Sequence, residues 1–220
     1  MRTVVFDLDG TLADTSADLL AAANVCFGDM GLGAPLGAAD ALAAFQGGRA
    51  MLRLGLTRRG AAWDEDMVSR EYPKLLVAYA EVIDRETVLY PGAVAAVEQL
   101  LAKGFLCAIC TNKPEGLAEE LLRRLGIRPL FQALVGADTL PVRKPDPLPY
   151  FVAVDRAGGG VARSMLVGDT VTDRDTARAA GVPVVLVTFG PNGGGVANLQ
   201  PDALMHHFDE LAALAERLVF

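Results

Sequence analysis

A β-branched, apolar run, Thr3-Val4-Val5-Phe6, stops abruptly at two carboxylates and a glycine in Asp7-Leu8-Asp9-Gly10-Thr11-Leu12. Such a run reads as a buried strand whose carboxyl end delivers acid groups into a crevice. Ligands of open parallel α/β sheets sit just outside the carboxyl ends of the strands. On a regular strand Asp7 and Asp9 share a face, and two carboxylates buried together are costly unless a cation or a proton compensates. The plainer reading is an acidic strand-to-turn passage in which Gly10 permits the bend.

The rest of the chain extends this strand into an α/β fold. After Leu12 the pattern turns helical, with Thr15 or Ser16 as the cap of a helix running to about Met30. Further helices are expected over 38–45, 49–56 and 64–85, and no strand among them. Residues 15–85 therefore read as an all-helical insertion, placed to cover the crevice as a lid does. From Pro91 strands alternate with helices: 106–110, 133–135, 165–167 and 184–187 are the strands, and the last helix runs through Leu211-Leu214-Leu218. The expected fold is a doubly wound, mostly parallel, Rossmann-like sheet built from residues 1–14 and 86–220, with an inserted helical cap domain over 15–85. The glycine clusters at 158–160 and 193–195 are expected to be loops, and no G-x-G-x-x-G follows the first strand.

Four strand ends carry polar groups at the same edge of such a sheet. They are Asp7-x-Asp9-x-Thr11, Thr111-Asn112-Lys113, Arg143-Lys144-Pro145-Asp146 and Gly168-Asp169-Thr170-Val171-Thr172-Asp173. Each alone has a dull explanation, such as Thr111 or Asp173 capping a helix and Lys144 solvated in a loop. Together they gather acids, a hydroxyl and an ammonium around one point. Oxygen donors without a neighbouring Cys or His suit a hard cation such as Mg²⁺. A metal with a lysine and a threonine hydroxyl suits a phosphoryl group, and a carboxylate facing phosphorus can attack it as a nucleophile. A second carboxylate can protonate the leaving oxygen and later activate water.

These four signatures, in this order over essentially the whole chain, resemble those of the haloacid dehalogenase superfamily. The resemblance implies that Asp7 is the nucleophile and Asp9 the general acid/base. It implies that Thr111 and Lys144 hold the phosphoryl group, and that Asp169 binds Mg²⁺ with Asp7 and the backbone carbonyl of Asp9. Asp173 is then a supporting acid, Thr11 and Asn112 are expected substrate contacts, and the insertion is the cap. Asp9 points to phosphatases and phosphomutases, because true dehalogenases lack that acid. The segment from Val135 to Pro147, Thr111-Asn112-Lys113-Pro114 and Gly181-Val182-Pro183-Val184 are similar to the bacterial phosphoglycolate phosphatases. Two departures concern substrate: Gly190-Pro191-Asn192 stands where those enzymes commonly have Gly-Tyr-Asn, and Gln46-Gly47-Gly48-Arg49 follows their cap loop only loosely. Arg49 reads either as a bidentate contact for a substrate carboxylate or as a surface arginine at a helix start.

The expected activity is thus Mg²⁺-dependent hydrolysis of a small phosphorylated metabolite, 2-phosphoglycolate first, through an aspartyl-phosphate. Rivals are another sugar-phosphate or pyrophosphate phosphatase, a β-phosphoglucomutase-like enzyme, or a receiver-type signalling domain, which has no use for a helical insertion. A net charge of −7 with no basic run argues against nucleic acid as a partner. The best membrane candidate, 179–189, is short and broken by Gly181 and Pro183, and the N-terminus starts a strand at once, so the expectation is a cytoplasmic protein, monomer or homodimer. Cys107 and Cys110 form a C-x-x-C, but three positions apart on a strand they face opposite ways and are expected to be buried structural thiols. His206 and His207 are expected at a helix start.

Overall fold

The computed structural model describes residues 1–220. The chain divides into two compact units, Met1–Ala13 with Leu89–Phe220, and Asp14–Val88. In chain order the elements are β1 (Thr3–Phe6), β2 (Ala13–Asp14), α1 (Ser16–Asp29), α2 (Ala41–Phe45), α3 (Gly48–Arg58), α4 (Glu65–Val82), β3 (Val88–Leu89), α5 (Ala93–Ala102) and β4 (Leu106–Cys110). There follow α6 (Glu115–Arg124), β5 (Ala133–Val135), α7 (Leu148–Arg156), β6 (Ser164–Gly168), α8 (Val171–Ala180), β7 (Val184–Val187), β8 (Ala203–Met205) and α9 (Leu211–Leu218).

The first unit is built on a six-stranded sheet in the order β5-β4-β1-β6-β7-β8, with every neighbouring pair parallel. Central parallel strands are covered on both faces, which is why their sequences are continuous apolar runs. Val4, Val5 and Phe6 have no exposed surface, and Val5 lies opposite Ala108 on β4 and Leu166 on β6. On one face Val5, Leu166, Val184 and Leu186 join Tyr150, Ala153 and Val154 of α7 in a single core. The one polar tip there is satisfied: the Tyr150 hydroxyl lies 2.7 Å from Ser164 Oγ, which itself donates to Val161 O. The strands run outward from β1 through β4 to β5, then return to β6 and run the other way. The order therefore reverses between β1 and β6, the kind of switch point beyond whose carboxyl ends open α/β sheets bind their ligands.

Three departures from the sequence expectation have local causes. β8, the sixth strand, was not expected; it is an edge strand of three residues with one neighbour, too short to show a period. The β2/β3 ribbon has two residues per strand and carries both passages of the chain between the units. The glycine-rich stretch expected as a loop forms a 3₁₀ helix, Gly193–Leu199, anchored by buried Val196. Cys107 and Cys110 follow expectation: both, like Cys26, are buried and unpaired, and burial pushes the two to about 12, where neither is nucleophilic.

Apart from the ribbon residues Asp14 and Val88 at its ends, the second unit's regular structure is helical. α4 begins at Asp64, whose carboxylate accepts from Met67 N at 2.7 Å, and it runs through Pro73 without ending. Gly55 of α3 admits the Phe27 ring of α1; a Cβ there would stand 2.2 Å from Phe27 Cζ. Buried Asp18 of α1 accepts from Glu86 N and from Thr87 N and Oγ1, with all distances between 2.8 and 3.0 Å. One carboxylate thus holds the end of the unit against its beginning. Asp18→Ala strands two amides and is expected to destabilise the protein by about 2 kcal/mol, read as a lowered denaturant midpoint with unchanged slope.

Candidate active site

The site is assembled by loops leaving β1, β4 and β6 and by the segment after β5. Asp7 follows β1 directly, and its N–H donates to Val167 O at 2.9 Å, so the ladder to β6 fixes its backbone. Its Oδ1 accepts from Leu8 N at 2.7 Å and its Oδ2 lies 3.1 Å from Lys144 Nζ, which fixes the rotation of the carboxylate. Lys144 is only 2 % exposed and also donates to Asp173 Oδ1 at 2.7 Å. Asp173 Oδ2 accepts from Thr170 Oγ1 at 2.6 Å, Thr170 N at 3.0 Å and Asp169 N at 3.2 Å, closing the first turn of α8. Asp169, fully buried, accepts from Thr11 Oγ1 at 3.0 Å through Oδ1, while its buried Oδ2 has no hydrogen-bond partner.

The backbone leaves room for these acids by using glycine where a side chain would collide. Gly10 has φ +81°, and a Cβ on it would lie 2.5 Å from Asp169 Oδ2. Gly190 would bring a Cβ within 2.7 Å of Gly10 O, and Gly168 within 2.4 Å of Asp173 Cβ. Gly10→Ala adds left-handed strain to that collision, and is expected to cost about 2 kcal/mol of stability, checked by thermal melts.

Electrostatically, three carboxylates share one ammonium. Burial, opposed by Lys144 and reinforced by Asp173 and Asp9, raises the Asp7 carboxyl to about 6. Burial and then Asp173 and Asp7 push Asp169 well above the usual carboxylate range. Burial acts the same way on Asp173, but the Lys144 ammonium and the Thr170 hydrogen bonds outweigh it and hold this acid low. Burial likewise works against Lys144, yet Asp173 and Asp7 keep it firmly charged. Oxygens of Asp7, Asp169 and Asp173 lie within 4.8 Å of one another. A buried, unpartnered carboxylate oxygen in an all-oxygen donor set of excess negative charge fits a hard divalent cation.

The structure thus brings together Asp7, Asp169, Asp173 and Lys144. Thr111 is buried one residue beyond β4, its N–H bonded to Val135 O at 3.0 Å and its Oγ1 accepting from Lys113 N at 3.2 Å. Asp9 sits in the turn after β1, both carboxylate oxygens bonded to Lys113 Nζ. Two expected substrate contacts differ. The Thr11 hydroxyl, which has no exposed surface, is turned to Asp169, so it orients that acid rather than reaching into the crevice. The Asn112 amide donates to Lys144 O at 3.0 Å and ties the loop after β4 to the lysine segment. Arg49 belongs to the helical unit, half-buried, where it donates to Ser69 Oγ at 3.0 Å and lies over the Tyr72 ring at 4.8 Å. Sequence reasoning missed Lys113 and Asn192, whose Nδ2 donates to Asp169 O at 3.3 Å. Lys113 stood in view beside Thr111, but nothing local marks a partner so far along the chain.

A doubly wound sheet with an acid-bearing switch point is the frame of a large hydrolase class, and the comparisons with known proteins agree. The family description "haloacid dehalogenase-like hydrolase" matches residues 1–181, and the chain belongs to that family. It is 40% identical over 221 residues to a phosphoglycolate phosphatase of Mesorhizobium japonicum, covering 98% of this chain and 96% of that one. A phosphoglycolate phosphatase of Caulobacter vibrioides is 38% identical, with 94% and 87% covered. Among solved structures, a predicted phosphoglycolate phosphatase from Haemophilus somnus superposes with a TM-score of 0.82 at 26% identity, with 97% of each chain covered. No helix is long and apolar enough to cross a membrane.

Proposed function

We propose that this chain is a Mg²⁺-dependent phosphatase that hydrolyses a small phosphate monoester, 2-phosphoglycolate foremost, through a phosphorylated Asp7. One observation carries the reading: Lys144 Nζ touches both Asp7 and Asp173, at 3.1 and 2.7 Å, beside a buried Asp169 oxygen that nothing satisfies. Asp7, Asp169 and the backbone carbonyl of Asp9 would hold Mg²⁺, with Asp173 supporting them. When bound, the ion supplies positive charge that lets a dianionic phosphate approach a carboxylate. The full-length likeness to phosphoglycolate phosphatases supports the choice of substrate.

The chain's own residues divide the work. Asp7, held by Leu8 N and Lys144, is aimed rather than free to rotate, and its oxygen attacks phosphorus. As the ester P–O bond breaks, Asp9 gives a proton to the departing alkoxide oxygen. In the second half Asp9 takes a proton from water, the water oxygen attacks phosphorus, and the bond to Asp7 breaks. Lys144 and the Thr111 hydroxyl stabilise the charge spread over the phosphoryl oxygens. The helical unit is proposed as the cap, and Arg49 as its contact to the substrate carboxylate. The protein is proposed to work in the cytoplasm, as a monomer or homodimer.

A phosphate-release screen over phosphorylated metabolites, with and without chelator, tests the reading. Turnover of 2-phosphoglycolate above the sugar phosphates and pyrophosphate, lost in chelator and restored by Mg²⁺, is expected. Conversion of glucose 1-phosphate into glucose 6-phosphate would replace it with a mutase, and stoichiometric labelling without continuing release would replace it with a receiver.

A further inference from the structure

We infer that Lys113 is a positioning residue for Asp9, holding the carboxylate that must exchange protons with the leaving group and water. The inference rests on the phosphatase reading and adds to it a group outside the four motif roles. Lys113 Nζ donates to both Asp9 oxygens, at 2.7 and 2.9 Å, and its side chain is only 4 % exposed. A lysine that deep is costly without a counter-charge, and the Asp9 carboxylate supplies one. The contact spans the loops after β1 and β4 and settles the rotamer of Asp9 before any substrate arrives. A general acid contributes little if its oxygen is displaced by about an ångström from hydrogen-bonding reach of the departing atom.

The backbone around Lys113 is braced as a positioning role requires. Lys113 N donates to Thr111 Oγ1 at 3.2 Å, and Lys113 O accepts from Ala137 N at 2.9 Å. Two residues on, Glu115 N donates to Asp138 Oδ1 at 2.7 Å, and the Glu115 carboxylate accepts from Thr139 Oγ1. Thr139 Oγ1 in turn accepts from Gly136 N at 2.8 Å. Gly136 is needed for this approach, since a Cβ there would stand 2.4 Å from Glu115 N. The segment Gly136-Ala137-Asp138-Thr139 thus buttresses the lysine that holds Asp9, which gives it a purpose the motif chemistry does not.

The test separates action through Asp9 from direct contact with substrate. Kinetics are measured for the wild type, Lys113→Met, Lys113→Arg, Asp9→Asn and the Asp9→Asn/Lys113→Met double variant, each with its melting curve. Two substrates are used: 2-phosphoglycolate, whose alkoxide needs a proton to leave, and 4-nitrophenyl phosphate, whose phenolate does not. Lys113→Met is expected to lower kcat for 2-phosphoglycolate on the order of 100-fold with KM little changed. The nitrophenolate burst, which reports attack by Asp7 alone, stays close to wild type. Lys113→Arg, which keeps a two-pronged donor, recovers most of kcat, and in the Asp9→Asn background the Lys113→Met change adds nothing. A raised KM with kcat kept, a burst that falls in parallel, or losses that multiply in the double variant would overturn the inference. A wild type that releases phosphate from neither substrate would instead remove the phosphatase reading on which it rests.

Discussion

Asp7→Asn is expected to lower turnover on the order of 10⁴-fold or more while making the metal-free protein harder to melt. The first effect follows because an amide neither attacks phosphorus usefully nor serves well as a metal ligand. The second follows from the cluster's charge. In the fold the Asp7 carboxyl is raised from 3.8 to about 6, with burial the largest cause and Asp173 and Asp9 adding to it. Ionised Asp7 therefore costs the folded state about 3 kcal/mol at neutral pH relative to the unfolded chain, after the attraction of Lys144 is counted. Asparagine removes that charge at nearly constant volume, and even half of the gain would lift the melting temperature by about 5 °C in a chain of this size. Activity and stability moving in opposite directions separate a functional acid from a residue whose loss merely damages the fold. Phosphate release and a thermal melt in chelator measure the two effects; a variant that melts lower than wild type would show Asp7 to be a net stabiliser and contradict the electrostatic account.

The parts of this molecule legible in the sequence are those set by burial on both faces of a sheet. β1, β4 and β6 are continuous apolar runs ending at polar residues, and their ends could be compared because a parallel sheet puts them on one edge. Asp7, Lys144, Asp169 and Asp173 converge for that reason. What escaped depends on contacts the chain does not announce locally. β8 is an edge strand with few residues to carry a pattern. Thr11 looked available to substrate until Asp169 from the far side of the switch claimed its hydroxyl. Asn112 was similarly claimed by the carbonyl of Lys144. Lys113 stood in the polar strand end with Thr111 and Asn112 but was given no role, because its partner, Asp9, lies 104 positions away.

Adding Mg²⁺ is expected to stabilise the protein much more at pH 7.5 than at pH 5, because proton and metal compete for the same acids. A carboxyl raised in the fold binds its proton more tightly folded than unfolded. Its penalty is absent below the unfolded value near 3.8, grows as pH rises, and is complete above the folded value of about 6 for Asp7. In chelator, stability should therefore fall by about 2 kcal/mol between pH 4 and 7 from Asp7 alone, and Asp169, raised in the same direction, adds to the fall. Asp173 has the opposite sign: held low by Lys144 and Thr170 against its burial, it contributes stability above the unfolded value that is lost as pH drops through the folded one. The two trends together favour the metal-free fold at acid pH, below the neutral range in which Asp7, the proposed nucleophile, is ionised. A divalent cation offsets the repulsion where the acids are charged and gains little where they are protonated, so its effect on the melting temperature should grow by about 4 °C from pH 5 to pH 7.5 through Asp7 alone. Melts in chelator and in saturating Mg²⁺ across that range measure it, and Asp7→Asn should flatten the metal-free slope. A metal-free melting temperature independent of pH from 5 to 7.5 would mean that these acids are not in conflict, and that a cation is not what resolves them.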